Sequence, residues 1–293
     1  METALVTGTS TGIGYATAIH LARNGYKAYA TMRNLDKSAP LREVAVSGNL
    51  PLELLALDVT DEASMSNAVA KILAADGRID VLVNNAGIGE ASPLEFLEQT
   101  VLRDTMETNF FGAVRMMQLV LPGMRERQSG TIVNITSLAG LIAFPAHGAY
   151  CASKFALEAM AEAVAAEVAR FNVRIANIEP GVVVTPIFEK ADIDNAVDSL
   201  PPGFPYQQAV ARLVHQLQQG LKDPALAQDV ADVVLEAIRT DEPQLRYPVG
   251  KDAHQALAGL GDLSDDERVA LLGEADDDVY QQRIGALMPF LRA

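Results

Sequence analysis

The chain has 293 residues, 49% hydrophobic and 21% charged, with 23 Lys and Arg against 38 Asp and Glu, a net charge of −15. Such a sequence buries a large core, and its acidity speaks against nucleic acid or an anionic membrane as main partner, because both need a basic face. The lone cysteine, Cys151, excludes an intramolecular disulfide framework, and no run approaches the ~20 apolar residues of a membrane-crossing helix.

Short β-branched runs alternate with longer Ala- and Leu-rich segments from the start. Residues 3–7 read as a strand and 13–24 as a helix stopped by Gly25, where a left-handed residue is easiest. Because the strand starts at Thr3, no signal or transit peptide is expected before it, and the default location is cytoplasmic. Residues 27–32 read as the second strand, 52–57 as the third, ending at Asp58, and 64–75 as a helix ending near Gly77. Residues 80–84, 131–135 and 174–178 are apolar runs of strand composition, with long helical segments between them. Continuous apolar runs suit parallel strands covered on both faces. The predicted class is α/β, one domain over 1–293 whose doubly wound parallel sheet carries helices on both faces.

Beyond Thr185 the composition changes. Residues 186–226 hold Pro201, Pro202 and Pro205 with Phe188, Phe204 and Tyr206, and read as a lid over a pocket rather than a sheet element. Residues 227–239 return to helix and 245–249 give a last strand. Residues 251–293 are expected to form a C-terminal helical extension, with Ser264 and Glu267 as a capping box and the acidic stretch 262–278 as a solvated face.

Between the first strand and first helix stands Thr7-Gly8-Thr9-Ser10-Thr11-Gly12-Ile13-Gly14. Glycines there let the backbone turn tightly and approach a pyrophosphate, whose charge sits at the helix N-terminus. An ordinary tight turn is the plainer alternative; the position in the first strand-to-helix turn favours the nucleotide. At the end of the second strand an acid would bind the ribose of NAD, but the residues are Thr31-Met32-Arg33-Asn34. Arg33 is expected to pair with a 2′-phosphate, which predicts NADP(H); an exposed surface arginine is the other reading.

Tyr150 and Lys154, four apart on an Ala-rich helical segment, emerge on one face. A nearby ammonium stabilises a phenolate, so the pair suits acid–base work, although an exposed helix pair also fits the spacing. Ser137 closes the fifth strand and Asn84-Asn85-Ala86-Gly87 the fourth, where parallel sheets gather ligand-binding groups; turn or cap residues are the alternative.

Taken together, Thr7-Gly8-x3-Gly12-Ile13-Gly14, Asp58-Val59, Asn84-Asn85-Ala86-Gly87, Asn109, Ser137, Tyr150-Cys-Ala-Ser-Lys154 and Pro180-Gly181-x3-Thr185 resemble the short-chain dehydrogenase/reductase family. The resemblance runs in strict order over 3–190, more weakly to about 250, and looks most like members acting on 17β-hydroxysteroids and retinoids. It implies a Rossmann-like fold and hydride exchange with a nicotinamide nucleotide. By the same resemblance, Tyr150 is the acid or base, Lys154 lowers its pKa and holds the nicotinamide ribose, and Ser137 binds the substrate oxygen. It further implies that Asn109 holds a relay water, Asp58 and Val59 contact adenine, Asn84 lines the cleft, Val182 and Thr185 face the nicotinamide, and Ala86, Gly87, Pro180 and Gly181 belong to the cofactor-binding set.

Thr11 replaces the basic residue some NADP-preferring members carry before Gly12, which leaves selectivity to Arg33. A homodimer or homotetramer is expected: many members are tetramers, and the long tail would block one interface and leave a dimer. Apolar residues Leu141, Phe144, Val183, Phe188, Phe204 and Tyr206, with His147, are the expected pocket for a hydrophobic small molecule. His147 meets a polar substrate group or is simply structural, Cys151 is a small buried apolar group, and no metal-ligand spacing is present. The function expected is an NADP(H)-dependent oxidoreductase interconverting an alcohol with an aldehyde or ketone. The rivals are a non-catalytic nucleotide sensor and a 3-oxoacyl thioester reductase, the latter disfavoured by the acidic chain.

Overall fold

In the computed structural model, which describes residues 1–185 and 195–292, the apolar runs form β1 (Glu2–Val6), β2 (Tyr26–Met32), β3 (Leu52–Ala56), β4 (Val81–Asn84), β5 (Gly130–Ile135), β6 (Val173–Pro180) and β7 (Arg246–Val249). All pair in parallel in one seven-stranded sheet ordered β3-β2-β1-β4-β5-β6-β7. The order reverses between β1 and β4, so the carboxyl ends of these two strands open the crevice in which doubly wound sheets bind ligands.

The helices are α1 (Gly12–Arg23), α2 (Ala39–Ser47), α3 (Glu62–Asp76), α4 (Gln99–Met106), α5 (Gly112–Arg127), α6 (Gly148–Val168), α7 (Gln207–Gly220) and α8 (Ala227–Arg239), followed by α9 (Lys251–Leu260), α10 (Asp265–Leu272) and α11 (Asp277–Leu287). Alternate strand residues feed opposite faces. Ala4 and Val6 of β1 join Ala18, Ile19 and Val230 in one buried cluster, whereas Leu5 joins Met65, Met116, Met117 and Leu157 in the other. With both faces covered, the central strands β1, β4 and β5 read as nearly continuous apolar runs.

Local chemistry sets the ends. Asp61 caps α3 by accepting from the amides of Ala63 and Ser64, and Gly77 closes it in the left-handed region at φ 73°. Ser264 and Glu267 form the expected capping box at α10. The extension of α9 to α11 packs as a third apolar cluster around Ala256, Leu260, Tyr280 and Ile284. Near the end of the segment read as a lid, Ala225 bridges in parallel to Val183 just beyond β6. Among the described residues no helix is long and apolar enough to cross a membrane.

Candidate active site

The turn between β1 and α1 is held from two sides. Thr7 Oγ1 accepts from the amides of Asn85 and Ala86 at 3.0 Å each, and Asn85 Nδ2 donates to the carbonyls of Thr7 at 2.9 Å and Gly8 at 3.0 Å. The packing is so close that a Cβ on Gly14 would stand 2.3 Å from Asn85 Nδ2, and one on Gly8, at φ 70°, 2.7 Å from Ala86 Cα. Asn85 is therefore a structural tie that the sequence reading did not single out. At the start of α1, Thr11 makes no side-chain cap and the first turn holds no acid. Free helix N–H groups behind a glycine-bearing turn are what a pyrophosphate needs, so these residues fit a dinucleotide. Ser10, Gly12 and Ile13 line the same partly exposed turn, and Arg33 stands exposed just past β2.

The chemistry-bearing groups arrive from three elements. Ser137 follows β5; its Oγ accepts from the amide of Ala139 at 3.1 Å and donates to the carbonyl of Pro180 at 3.4 Å. Tyr150 and Lys154 lie one turn apart on α6, with Lys154 Nζ 5.6 Å from the centre of the Tyr150 ring and donating to the carbonyl of Ile135 at 2.8 Å. Tyr150 in turn hydrogen-bonds Ser137. Asn109 sits in a π-helical turn, Glu107–Phe111, which links α4 to α5. Such an inserted residue re-aims a side chain out of the regular helical face, and π turns concentrate at functional sites. Asn109 Oδ1 accepts from the amide of Ile88 at 2.8 Å, and its Nδ2 donates to the Ile88 carbonyl at 2.8 Å and to Ser153 Oγ at 2.9 Å. A Cβ placed on Gly87 would lie 3.3 Å from Asn109 Oδ1 and 3.7 Å from Lys154 Nζ, so these two atoms bracket one small space.

The electrostatics differ from expectation. The phenol of Tyr150 is pushed up to about 12 by burial, opposed by its hydrogen bond to Ser137. Lys154 is brought down to about 8 by burial, with Glu158 acting the other way. Desolvation penalises phenolate and ammonium alike. The expected lowering of Tyr150 by Lys154 is not what the protein's own residues do; they leave a protonated phenol beside a readily titrated lysine.

Asn84 corrects a second expectation. Its side chain turns into the sheet, where Nδ2 donates to Asn134 Oδ1 at 3.0 Å. Asn134 Nδ2 passes on to Asn177 Oδ1 at 3.0 Å, and Asn177 Nδ2 to Glu158 Oε2 at 2.7 Å. Buried amides must find partners, and register places Asn84, Asn134 and Asn177 side by side, so they form a ladder rather than a cleft wall. Asp58 is locally engaged, its Oδ1 accepting from the amide and hydroxyl of Thr60 at 3.0 and 2.8 Å, and Val59 packs under Gly112.

The apolar candidates divide. Phe204 and Tyr206 gather with Phe96, ring centres 4.8 and 6.0 Å from it. Leu141 and Phe144 pack against the cluster of the C-terminal extension. Val183 is 4% exposed and belongs to the sheet core, because its bridge to Ala225 turns it inward; it is not a pocket wall. Phe188 lies outside the described residues. His147 stacks on Tyr150 with ring centres 4.7 Å apart, and burial brings it down to about 4, so its ring is neutral. Cys151 is buried, its Sγ accepting from the amide of Phe144 at 3.5 Å.

These features define a dinucleotide-dependent oxidoreductase, and the chain belongs to the short-chain dehydrogenase family, whose model matches residues 2–196. Among its relatives, estradiol 17-beta-dehydrogenase 1 of Rattus norvegicus is 38% identical over 256 residues, 83% of this chain and 72% of that protein. Retinol dehydrogenase 8 of Bos taurus is 37% identical over 259 residues, 84% and 80% of the two chains. A solved short-chain dehydrogenase from Streptomyces avermitilis superposes with a TM-score of 0.77 at 33% identity, covering 93% of this chain and 95% of its own. A metagenomic short-chain oxidoreductase in complex with NADP gives 0.67 at 26% identity, covering 85% and 96%.

Proposed function

We propose that this protein is an NADP(H)-dependent oxidoreductase that interconverts a hydrophobic aldehyde or ketone with its alcohol, with Tyr150 as proton donor in reduction and acceptor in oxidation. The observation that carries the reading is Tyr150 hydrogen-bonded to Ser137 while Lys154 and Asn109 bracket a space behind it. The nucleotide, when bound, supplies or receives the hydride. It is assigned to the turn of Gly8, Ser10, Thr11, Gly12, Ile13 and Gly14, with Arg33 meeting the 2′-phosphate. Val182 and Thr185 are assigned to the nicotinamide side, beyond Pro180 and Gly181.

Ser137 holds the substrate oxygen where charge develops. Tyr150, kept protonated by burial, gives its hydroxyl proton to that oxygen. Lys154, near neutrality still chiefly an ammonium at about 8, returns a proton toward Tyr150, and the space over Gly87 takes the water that connects it onward past Asn109. His147, neutral against the Tyr150 ring, limits the ring's tilt and offers a polar contact to substrate.

The names of the rat and bovine relatives favour a hydrophobic substrate such as a steroid or retinoid. The aromatic group of Phe96, Phe204 and Tyr206, with Phe96 and Tyr206 exposed, suits the same chemistry. A panel of steroid, retinoid, aryl ketone and 3-oxoacyl thioester substrates with NADPH tests the reading. Nucleotide consumption with an apolar carbonyl is expected. Tight nucleotide binding with no turnover on any member would instead identify a nucleotide sensor.

A further inference from the structure

Past β6, residues 181–185 form the passage from the sheet to the nucleotide turn, and three of their backbone groups pair with other backbone. Gly181 N donates to the Val249 carbonyl at 3.0 Å, Ala225 N donates to the Val182 carbonyl at 3.1 Å, and Val184 N donates to the Ala225 carbonyl at 3.1 Å. Val182 N instead donates to a carboxylate, Asp252 Oδ2, at 2.6 Å. That carboxylate comes from 70 residues further along, in the first turn of α9, the start of the C-terminal extension.

The slot that receives it is built from the strand ends. A Cβ on Gly181, after β6, would lie 2.2 Å from Asp252 Oδ1, and one on Gly250, after β7, 2.7 Å from the same atom. Gly250 also takes φ 100°, a conformation other residues adopt only under strain. Asp252 is 5% exposed, and its Oδ1 has no hydrogen-bond partner. A half-satisfied buried carboxylate costs free energy, which an apolar residue in this place would avoid. Burial indeed pushes its acid up, against the hydrogen bond from Val182. At the other end of the passage, a Cβ on Gly12 would meet Thr185 Cγ2 at 3.0 Å, so Thr185 lies directly over the start of α1.

We propose that Asp252 is a positioning residue, a carboxylate lent by the C-terminal extension that fixes residues 181–185 against the nucleotide turn and so sets the affinity of the nicotinamide half of the cofactor. This rests on the assignment of Val182 and Thr185 to the nicotinamide side. It gives the extension a role in the nucleotide site.

The test compares Asp252→Ala and Asp252→Asn with wild type. Asparagine keeps an oxygen able to accept from Val182 N; alanine does not. In the nucleotide-free protein, backbone amide exchange at residues 182–184 is expected to speed at least about tenfold in Asp252→Ala and to stay near wild type in Asp252→Asn, as loss of a charge-assisted bond implies. Calorimetry then measures NADPH and adenosine 2′,5′-bisphosphate, which carries only the adenine half. Asp252→Ala is expected to weaken NADPH by about 10- to 100-fold and to leave the bisphosphate unchanged. Equal weakening of both ligands, or exchange unchanged in Asp252→Ala, would overturn the proposal. Faster exchange in a protein whose wild type binds neither ligand would uphold the anchoring of the passage and refute the nucleotide reading, and with it the role in affinity.

Discussion

Glu179→Gln is expected to make the protein more stable at neutral pH while changing little at mildly acidic pH. Glu179 is 1% exposed near the end of β6. Arg246 of β7 faces it at 3.5 Å, but the same guanidinium serves Glu158 at 3.1 Å and Glu162 at 2.8 Å, both on α6, the helix that also carries Lys154. The Oε1 atoms of Glu158 and Glu179 have no hydrogen-bond partner. Burial first, then the charge of Glu158, push Glu179 up from 4.5 to about 8, with Arg246 opposing. The folded protein thus keeps a proton that the unfolded chain releases near 4.5. Between those values the native state binds more protons, so stability falls as pH rises, by up to about 1.4 kcal/mol per pH unit. From roughly pH 5.5 to 7.5 the ceiling is about 2 × 1.4, or ~2.8 kcal/mol, for this one group.

Glutamine has the shape of the protonated acid and does not titrate, so the variant loses that slope. His147 works in the opposite sense: held down at about 4, it makes stability rise with pH as the unfolded chain gives up its imidazole proton. It does so equally in both proteins, and the difference between them isolates Glu179. Urea midpoints across this pH range, at constant m-value, read the effect. A gap opening toward neutral pH in favour of Glu179→Gln is expected; curves that stay parallel would refute the reasoning.

Two further substitutions bear on the site. Gly87→Ala places a methyl group 3.3 Å from Asn109 Oδ1 and 3.7 Å from Lys154 Nζ, close but tolerable, and should fill the space assigned to the relay water. Turnover is expected to fall about tenfold with the thermal midpoint nearly kept; unchanged turnover would remove the relay. Arg33→Ala should weaken NADPH about 10- to 100-fold and leave NADH nearly untouched, as loss of a guanidinium–phosphate pair implies. Equal losses in a titration of both nucleotides would discard the 2′-phosphate assignment.

The sequence carries the fold in its local patterns. Strands buried on both faces appear as unbroken apolar runs, so each begins within one residue of its predicted start, and the capping box at Ser264 and Glu267 is visible because both partners sit in one turn. The order of strands in the sheet is not local, and the periodicity does not contain it. The same limit hides most of what supports the site. Asp252 reaches Val182 across 70 residues, and Glu158 meets Arg246 across 88. Asn109 is named by the resemblance, yet the π turn that aims it has no signature in composition. Asn84 shows the converse: its place at a strand end suggested the cleft, and only register with Asn134 reveals the ladder. Val183 likewise looked like pocket lining until its pairing with Ala225 placed it in the core. A Tyr–Lys spacing likewise shows proximity but not the burial that pushes the Tyr150 phenol up.

The central claim is proton transfer at the Tyr150 hydroxyl, and Tyr150→Phe tests it by removing that oxygen and nothing else. Single-turnover reduction of a carbonyl substrate found in the panel, measured beside a calorimetric NADPH titration, separates chemistry from binding. The account predicts a rate lower by about 10²- to 10⁴-fold with nucleotide affinity unchanged. A variant that reduces the substrate at the wild-type rate would contradict it.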